Sequence, residues 1–163
     1  LRGGAFGEEV RTLQTELVKE LVDACFLAKK ITELTPPLPG KMVPRHNNVI
    51  DAIHELSQTQ PRVFVSDVAR RLGTTPPSIT KLVGQLEDMG YVRKLPDPND
   101  RRFVALQLTD KGEDHFERYV RSYHEELAQA LRDLDEDRCR TTVQTIRALY
   151  EKMQACVGET RRR

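Results

Sequence analysis

The stretch "RVFVSDVARRLGTTPPSITKLVGQLEDMGYV", residues 62–92, leaves the chain few ways to fold. Val63 to Val65 is a short β-type run, and Ser66 follows as the expected N-cap of a helix. Val68, Ala69 and Leu72 give that helix one apolar side, and Gly73 suits the left-handed residue after a helix end. A second helix restarts at once. Thr75 caps it, a proline fits its first turn, and Ile79, Leu82, Val83, Leu86 and Met89 form its buried stripe until Gly90 stops it. Two short helices joined by Gly-Thr-Thr are a helix-turn-helix.

Two strand candidates follow, Tyr91 to Leu95 and Phe103 to Leu108, bridged by a polar tip with two prolines, Asn99, Asp100, Arg101 and Arg102. A hairpin beside a helix-turn-helix is a wing, and the order predicts a winged helix-turn-helix. The second helix can lie in a DNA major groove, where base edges present distinguishable donors and acceptors. The hairpin tip can reach a neighbouring minor groove, whose negative potential favours a guanidinium. Asp100, two residues before Arg102, is placed to pair with its planar fork and fix its direction, while Arg101 turns elsewhere, towards a phosphate. On the recognition helix, at about 100° per residue, Pro77 and Lys81 fall opposite the buried Ile79, with Ser78, Thr80 and Gln85 on the flanks. Gly84 shares the outer side. It either lets the backbone approach DNA closely or is an indifferent surface glycine, costing about 1 kcal/mol against alanine.

The rest of the chain supplies a frame. Val10, Leu13, Leu17, Leu21, Ala24 and Ala28 recur as the stripe of an amphipathic helix to Ile31, ended by "TPPLPGKMVPRH". A helix from Asn48 to Ser57 turns Val49, Ile50, Ile53 and Leu56 inward. After the wing, Thr109 caps a helix with Phe116, Val120, Tyr123, Leu127, Leu131 and Leu134 on one side. A last helix from about Asp135 carries Cys139, Val143, Ile146, Tyr150, Met153 and Val157. Alternating three- and four-residue spacings make a seam that wants a helical partner. The expected fold is therefore mainly α with a small β-hairpin wing (α+β), in three regions: residues 1–34 and 110–158 for dimerisation, and 45–109 for DNA. One winged module covers few base pairs. Two on a palindromic site about one helical turn apart gain length and effective concentration, which points to a homodimer.

Charge is segregated within a nearly balanced total of +1. Residues 62–109 carry eight basic and five acidic side chains, and 110–138 carry five and ten, so an anion-facing surface is followed by one that stays off phosphates. No apolar run approaches the roughly 18 residues of a bilayer span, and no secretory signal pattern appears. Cys25, Cys139 and Cys156, an odd number without CxxC spacing, fit a reducing cytoplasm. There is no GxSxG, P-loop or HExxH, so an enzyme is not expected, nor is a cofactor.

"TTPPSITKLVGQLEDMGYVRKLPDPNDRRFVALQLTDKG", residues 74–112, closely resembles the DNA-binding core of the MarR family of bacterial transcriptional regulators. The likeness lies in the recognition helix ending "LEDMGYV", the wing "DPNDRR", and "LQLTDKG" leading into a long helix. It implies a triangular homodimer joined through the first and last two helices, double-stranded DNA as partner, and repression rather than activation. It also implies Arg102 as the minor-groove residue with Asp100 as its support, and Thr75, Ser78, Thr80 and Lys81 as the leading groove contacts.

Regulators resembling this one release DNA in response to a small molecule, metal or oxidant. Arg45 and His46, after the proline-rich link, are the candidate ligand residues for a small aromatic or anionic effector. Cys25 falls in the first helix, where peroxide-sensing relatives carry a cysteine, but its neighbours Leu21, Val22 and Ala28 read as core packing, with the thiol as filler. His115 and His124 are nine residues apart, about 180° around one helix, so they do not face one metal ion. A thiol-switched regulator and a winged-helix protein-interaction module are the alternatives. Arg102→Ala is expected to cost about 1–3 kcal/mol of DNA binding and to weaken preference at the outer positions of the site. Equal affinity of variant and parent across a salt series would refute the wing assignment.

Overall fold

A computed structural model describes residues 13–34, 36–96 and 104–160. Asp100, Arg101, Arg102 and Val10 lie outside the described residues. The chain divides into two compact units, Leu1–Pro44 and Arg45–Arg163. The first holds α1 (Thr15–Ile31), with Glu16 in its first turn and Lys29 and Lys30 in its last, which oppose the helix dipole. No α1 residue is buried, and Leu17, Phe26, Leu27 and Ile31 are exposed.

The second unit runs through α2 (Pro44–Thr59), β1 (Val63–Phe64), α3 (Val65–Arg71), α4 (Pro76–Asp88), β2 (Val92–Pro96) and β3 (Val104–Leu108). It continues with α5 (Asp110–Phe116), a π-helical turn (Glu117–Arg121), α6 (Ser122–Ala130) and α7 (Glu136–Thr160). The expected mainly helical fold with a small sheet is what forms. β3 pairs antiparallel with both β2 and β1, giving the order β1-β3-β2 and the register Val92↔Leu108 and Val63↔Leu106. The Val63 run is thus a third strand at the base of the wing.

The core lies where helices and sheet meet: Val49, Ile50 and Ile53 of α2, Val68 of α3, Ile79, Val83 and Leu86 of α4, and Val92, Leu106 and Leu108 of the hairpin are buried. Each large aliphatic contributes about 1.5–3 kcal/mol by leaving water. This packing presents the opposite face of α4 outward.

Helix ends explain most of the boundaries. Gly73 and Gly90 adopt φ +60° and +78°. After α3, Thr74 N–H bonds Ala69 O at 2.9 Å and Gly73 N–H bonds Arg70 O at 3.3 Å; after α4, Tyr91 N–H bonds Leu86 O and Gly90 N–H bonds Glu87 O, both at 2.9 Å. Both are Schellman closures, which need a left-handed residue at that point. Two helix starts and one helix interior differ from expectation in ways the hydrogen bonds and prolines explain. The α2 helix starts at Pro44, not Asn48, because proline's missing N–H costs nothing in a first turn. The α3 helix starts at Val65 and not after Ser66, because the Asp67 carboxylate accepts the Phe64 N–H at 3.0 Å and places the N-cap two positions earlier. The single helix expected after Thr109 contains a π turn, where Ser122 Oγ donates to Glu117 O, five residues back, at 2.8 Å.

The end of α4, the hairpin and α5 converge on Tyr91. Its carbonyl accepts the Thr109 N–H at 3.1 Å. Thr109 Oγ1 donates to Gly90 O at 2.7 Å and accepts the Gly112 N–H at 3.1 Å, capping α5 as expected. Lys111 donates to Met89 O at 2.7 Å with its ammonium 4.3 Å from the Tyr91 ring centroid. Behind this, buried His115 bonds Asn47 Oδ1 through Nε2 at 2.8 Å and stacks on Tyr119. Burial, and then the Lys111 charge, hold its pKa below the usual histidine value, so it packs as a neutral ring.

At the far end, Asp135 accepts the Arg138 N–H at 2.8 Å and starts α7. On α7, Val143, Ile146, Tyr150 and Met153 are exposed. Cys25, Cys139 and Cys156 are exposed too, so none is core filler within the single chain. Among the described residues no helix is long and apolar enough to cross a membrane.

A Cβ added at Gly112 would stand 2.2 Å from the Tyr91 carbonyl oxygen, so the first turn of α5 approaches that strand end only without a side chain. Gly112→Ala is expected to destabilise the protein by about 1–3 kcal/mol through forced separation of these backbones. A denaturant midpoint unchanged from the parent would contradict this close approach.

Candidate nucleic-acid interface

The α4 helix offers a solvent face because its burial is one-sided. Ile79, Val83 and Leu86 are buried, while Thr75, Pro77, Ser78, Thr80, Lys81 and Gln85 are all exposed. Ser78, Lys81 and Gln85, spaced by three and four, form one outward row.

The helix N-terminus differs in detail from expectation. Thr75 occupies the N-cap with extended backbone (φ −91°, ψ 144°), but its hydroxyl caps no backbone N–H. It lies 2.9 Å from the Ser78 hydroxyl instead. Pro76 and Pro77 fill the first two helical positions, so two of the amides that would otherwise attract an anion are absent. The hydroxyl pair and Lys81 are the polar groups left there. Thr80 is partly committed, since its Oγ1 donates to Pro76 O at 2.9 Å. Such a surface suits short contacts to phosphate oxygens and base edges more than binding of a free anion.

Neighbouring cations are mostly engaged. Arg71 pairs with Glu55, Lys94 with Glu87 at 2.6 Å, and Arg70 sits 3.6 Å from Asp67. Arg93 Nε donates to Gln107 Oε1 at 3.0 Å across β2 and β3, which stiffens the base of the hairpin. The paired strands Val92–Pro96 and Val104–Leu108 form a braced stem, and the candidate residues Asp100, Arg101 and Arg102 lie outside the described residues.

The two candidate ligand residues part company. Arg45 is exposed, whereas His46 is buried and its Nε2 lies 3.0 Å from Gln85 Oε1. An open cavity of about 460 Å³ lies at the foot of the hairpin, lined among others by Ile53, Arg62, Phe64 and Leu95 but by neither Arg45 nor His46. No group of three or more metal-ligating side chains occurs among the described residues.

Sequence reasoning missed two contacts to the helix-turn-helix. The His46–Gln85 bond spans 39 positions. The Tyr150 hydroxyl of α7 donates to Gly73 O at 3.3 Å, in the turn itself. Neither leaves a local pattern. A buried histidine on an otherwise apolar helix face was the one available hint for the first, since a buried ring nitrogen needs a partner.

Comparison with known proteins gives a consistent picture. The sequence model of the MarR family matches residues 45–102. An HTH-type transcriptional regulator of Mycobacterium tuberculosis is 31% identical over 93 residues, 57% of this chain and 62% of that protein, so the chain spans about three fifths of this relative's length. The HTH-type transcriptional regulator MntR of Lysinibacillus sphaericus is 34% identical over 105 residues, 63% of this chain and 70% of the relative. Among solved structures, Streptococcus pneumoniae FabT in complex with DNA superposes with a TM-score of 0.62 at 21% identity, covering 88% of this chain and 99% of FabT. At that identity the likeness concerns the fold.

On α4 itself, a Cβ added at Gly84 would meet no atom within 4 Å, so the protein does not require glycine there. Gly84→Ala is expected to raise stability by up to about 1 kcal/mol. Comparing its DNA affinity with the parent's decides the open question: loss of affinity in a more stable protein means close backbone approach, and unchanged affinity means an indifferent glycine.

Proposed function

Because this chain belongs to the MarR family of transcriptional regulators, we propose that it binds a near-palindromic DNA duplex as a homodimer and represses transcription. The observation that carries the reading is the outward row of Ser78, Lys81 and Gln85 beside a braced hairpin whose tip sequence holds Arg101 and Arg102. In this reading α4 enters the major groove, with Thr75, Pro77, Ser78, Thr80, Lys81 and Gln85 against bases and phosphates. Arg102, supported by Asp100, enters the flanking minor groove, and Arg101 meets the backbone.

The exposed Val143, Ile146, Tyr150 and Met153 on α7, with Leu131 and Leu134 before it, support pairing with a second copy. Left in water, such a stripe forfeits the burial that its spacing is suited to provide. Release by a small aromatic or anionic effector completes the reading. Arg45, exposed at the start of α2, is the cation available to a carboxylate. A family of regulators built around such a site leaves no role for catalysis.

Three measurements test the proposal. Selection from random duplex DNA is expected to recover an inverted repeat with half-sites about one helical turn apart, and sedimentation to give twice the chain mass. Binding should fall linearly in log–log form with salt, in proportion to the phosphates contacted. A monomer that retains no duplex even in dilute buffer would end this reading.

A further inference from the structure

We propose that His46 is a positioning residue for Gln85: it holds the Gln85 carbonyl oxygen against the body of the protein. That leaves the amide nitrogen as a donor facing the groove, so Gln85 selects guanine or thymine at its position in each half-site. The inference rests on the DNA-binding reading and deepens it.

Gln85 sits in the outward row of α4, four residues after Lys81, and is exposed. A glutamine free to turn presents either end of its amide, and it commonly reads adenine with both: the oxygen accepts from N6 while the nitrogen donates to N7. Gln85 is not free. Its Oε1 lies 3.0 Å from Nε2 of His46. His46 is only 3% exposed on α2, so its ring is set by the core and not by solvent.

In the tautomer whose Nε2–H donates to Oε1, the bond ties the orientation of the planar amide to the imidazole, and its NH2 group is directed away from the histidine. In the major groove, guanine presents O6 and N7 and thymine presents O4, all acceptors; adenine presents its N7 acceptor beside the N6 donor, and cytosine presents the N4 donor alone. A donor held outward is refused by cytosine and is met by adenine only at N7, with the N6 amino group left without its acceptor, so guanine and thymine are favoured. The His46 bond also removes part of the rotamer freedom that Gln85 would lose on docking.

A plainer reading is that the bond merely satisfies a buried imidazole. The two readings differ in what they move. Satisfaction alone affects folding, whereas positioning affects base choice at one position and leaves the others untouched.

The experiment selects bound duplexes from a random pool with the full chain as parent, Gln85→Ala, Gln85→Glu and His46→Leu, alongside melting temperatures. The parent is expected to enrich guanine or thymine over adenine and cytosine about tenfold at one position per half-site. Gln85→Ala should flatten that position alone, and the melting temperature reads what the buried His46 loses with this partner. Gln85→Glu, an acceptor only, should move the preference to cytosine or adenine. His46→Leu should remove the guanine or thymine preference at the same position and admit adenine, even though its own side chain never reaches DNA.

A parent that prefers adenine at the Gln85-dependent position overturns the inference. So does a Gln85→Ala profile identical to the parent's, or a destabilised His46→Leu that keeps the parent's preference. A parent that enriches no sequence sinks the DNA-binding reading with it, whereas these other outcomes leave that reading standing.

Discussion

The carbonyl of Tyr91 sits where three pieces of the winged domain meet. The last turn of α4 ends there, β2 starts at the next residue, and Thr109 returns from β3 to donate its N–H at 3.1 Å. A hairpin joined to the body only through its strands would swing about its base. Here Thr109 also holds Gly90 O, and Lys111 holds Met89 O, so the exit of the recognition helix and the entry to α5 are tied to one point. Gly112 makes this possible because any side chain would strike the Tyr91 oxygen. The direction of the two strands relative to α4 follows from that junction.

The polar face of α4 shows a division of labour among weak groups. Two prolines preset the backbone of the first turn and take away two of its amide donors, so the polar groups of that face are largely side chains. The Thr75 and Ser78 hydroxyls satisfy one another at 2.9 Å, which lowers the cost of holding them in place. Around it, Arg71, Lys94 and Arg70 are each matched with a carboxylate. The local field is then less positive than a count of arginines and lysines implies. That arrangement favours contacts that depend on geometry over indiscriminate attraction to polyanions.

Much of this was legible in the residues, and unevenly so. Gly73 and Gly90 marked helix ends correctly because a left-handed residue there is a requirement that few side chains meet. The buried stripe of Ile79, Val83 and Leu86 was legible because a helix repeats every 3.6 residues. The start of α3 was not, since Ser66 and Asp67 are both good capping residues and only the chain path chose the carboxylate. The π turn at Glu117–Arg121 carries no compositional mark. In the candidate site, exposure of Lys81 and its neighbours followed from helical phase, while the link of Gln85 to a histidine in another helix did not.

What the sequence by itself determined is the local order: a helix-turn-helix, then a hairpin, each bounded by residues whose backbone demands are nearly unique. It also determined which side of each helix is apolar, because periodicity and side-chain chemistry are properties of neighbours along the chain. Only the tertiary structure decided what those helices do to one another. His46 reaching Gln85 and Tyr150 reaching Gly73, 39 and 77 positions away, arise from the packing angles of whole elements. Such angles are a sum over many small contacts, and no single stretch of residues encodes that sum.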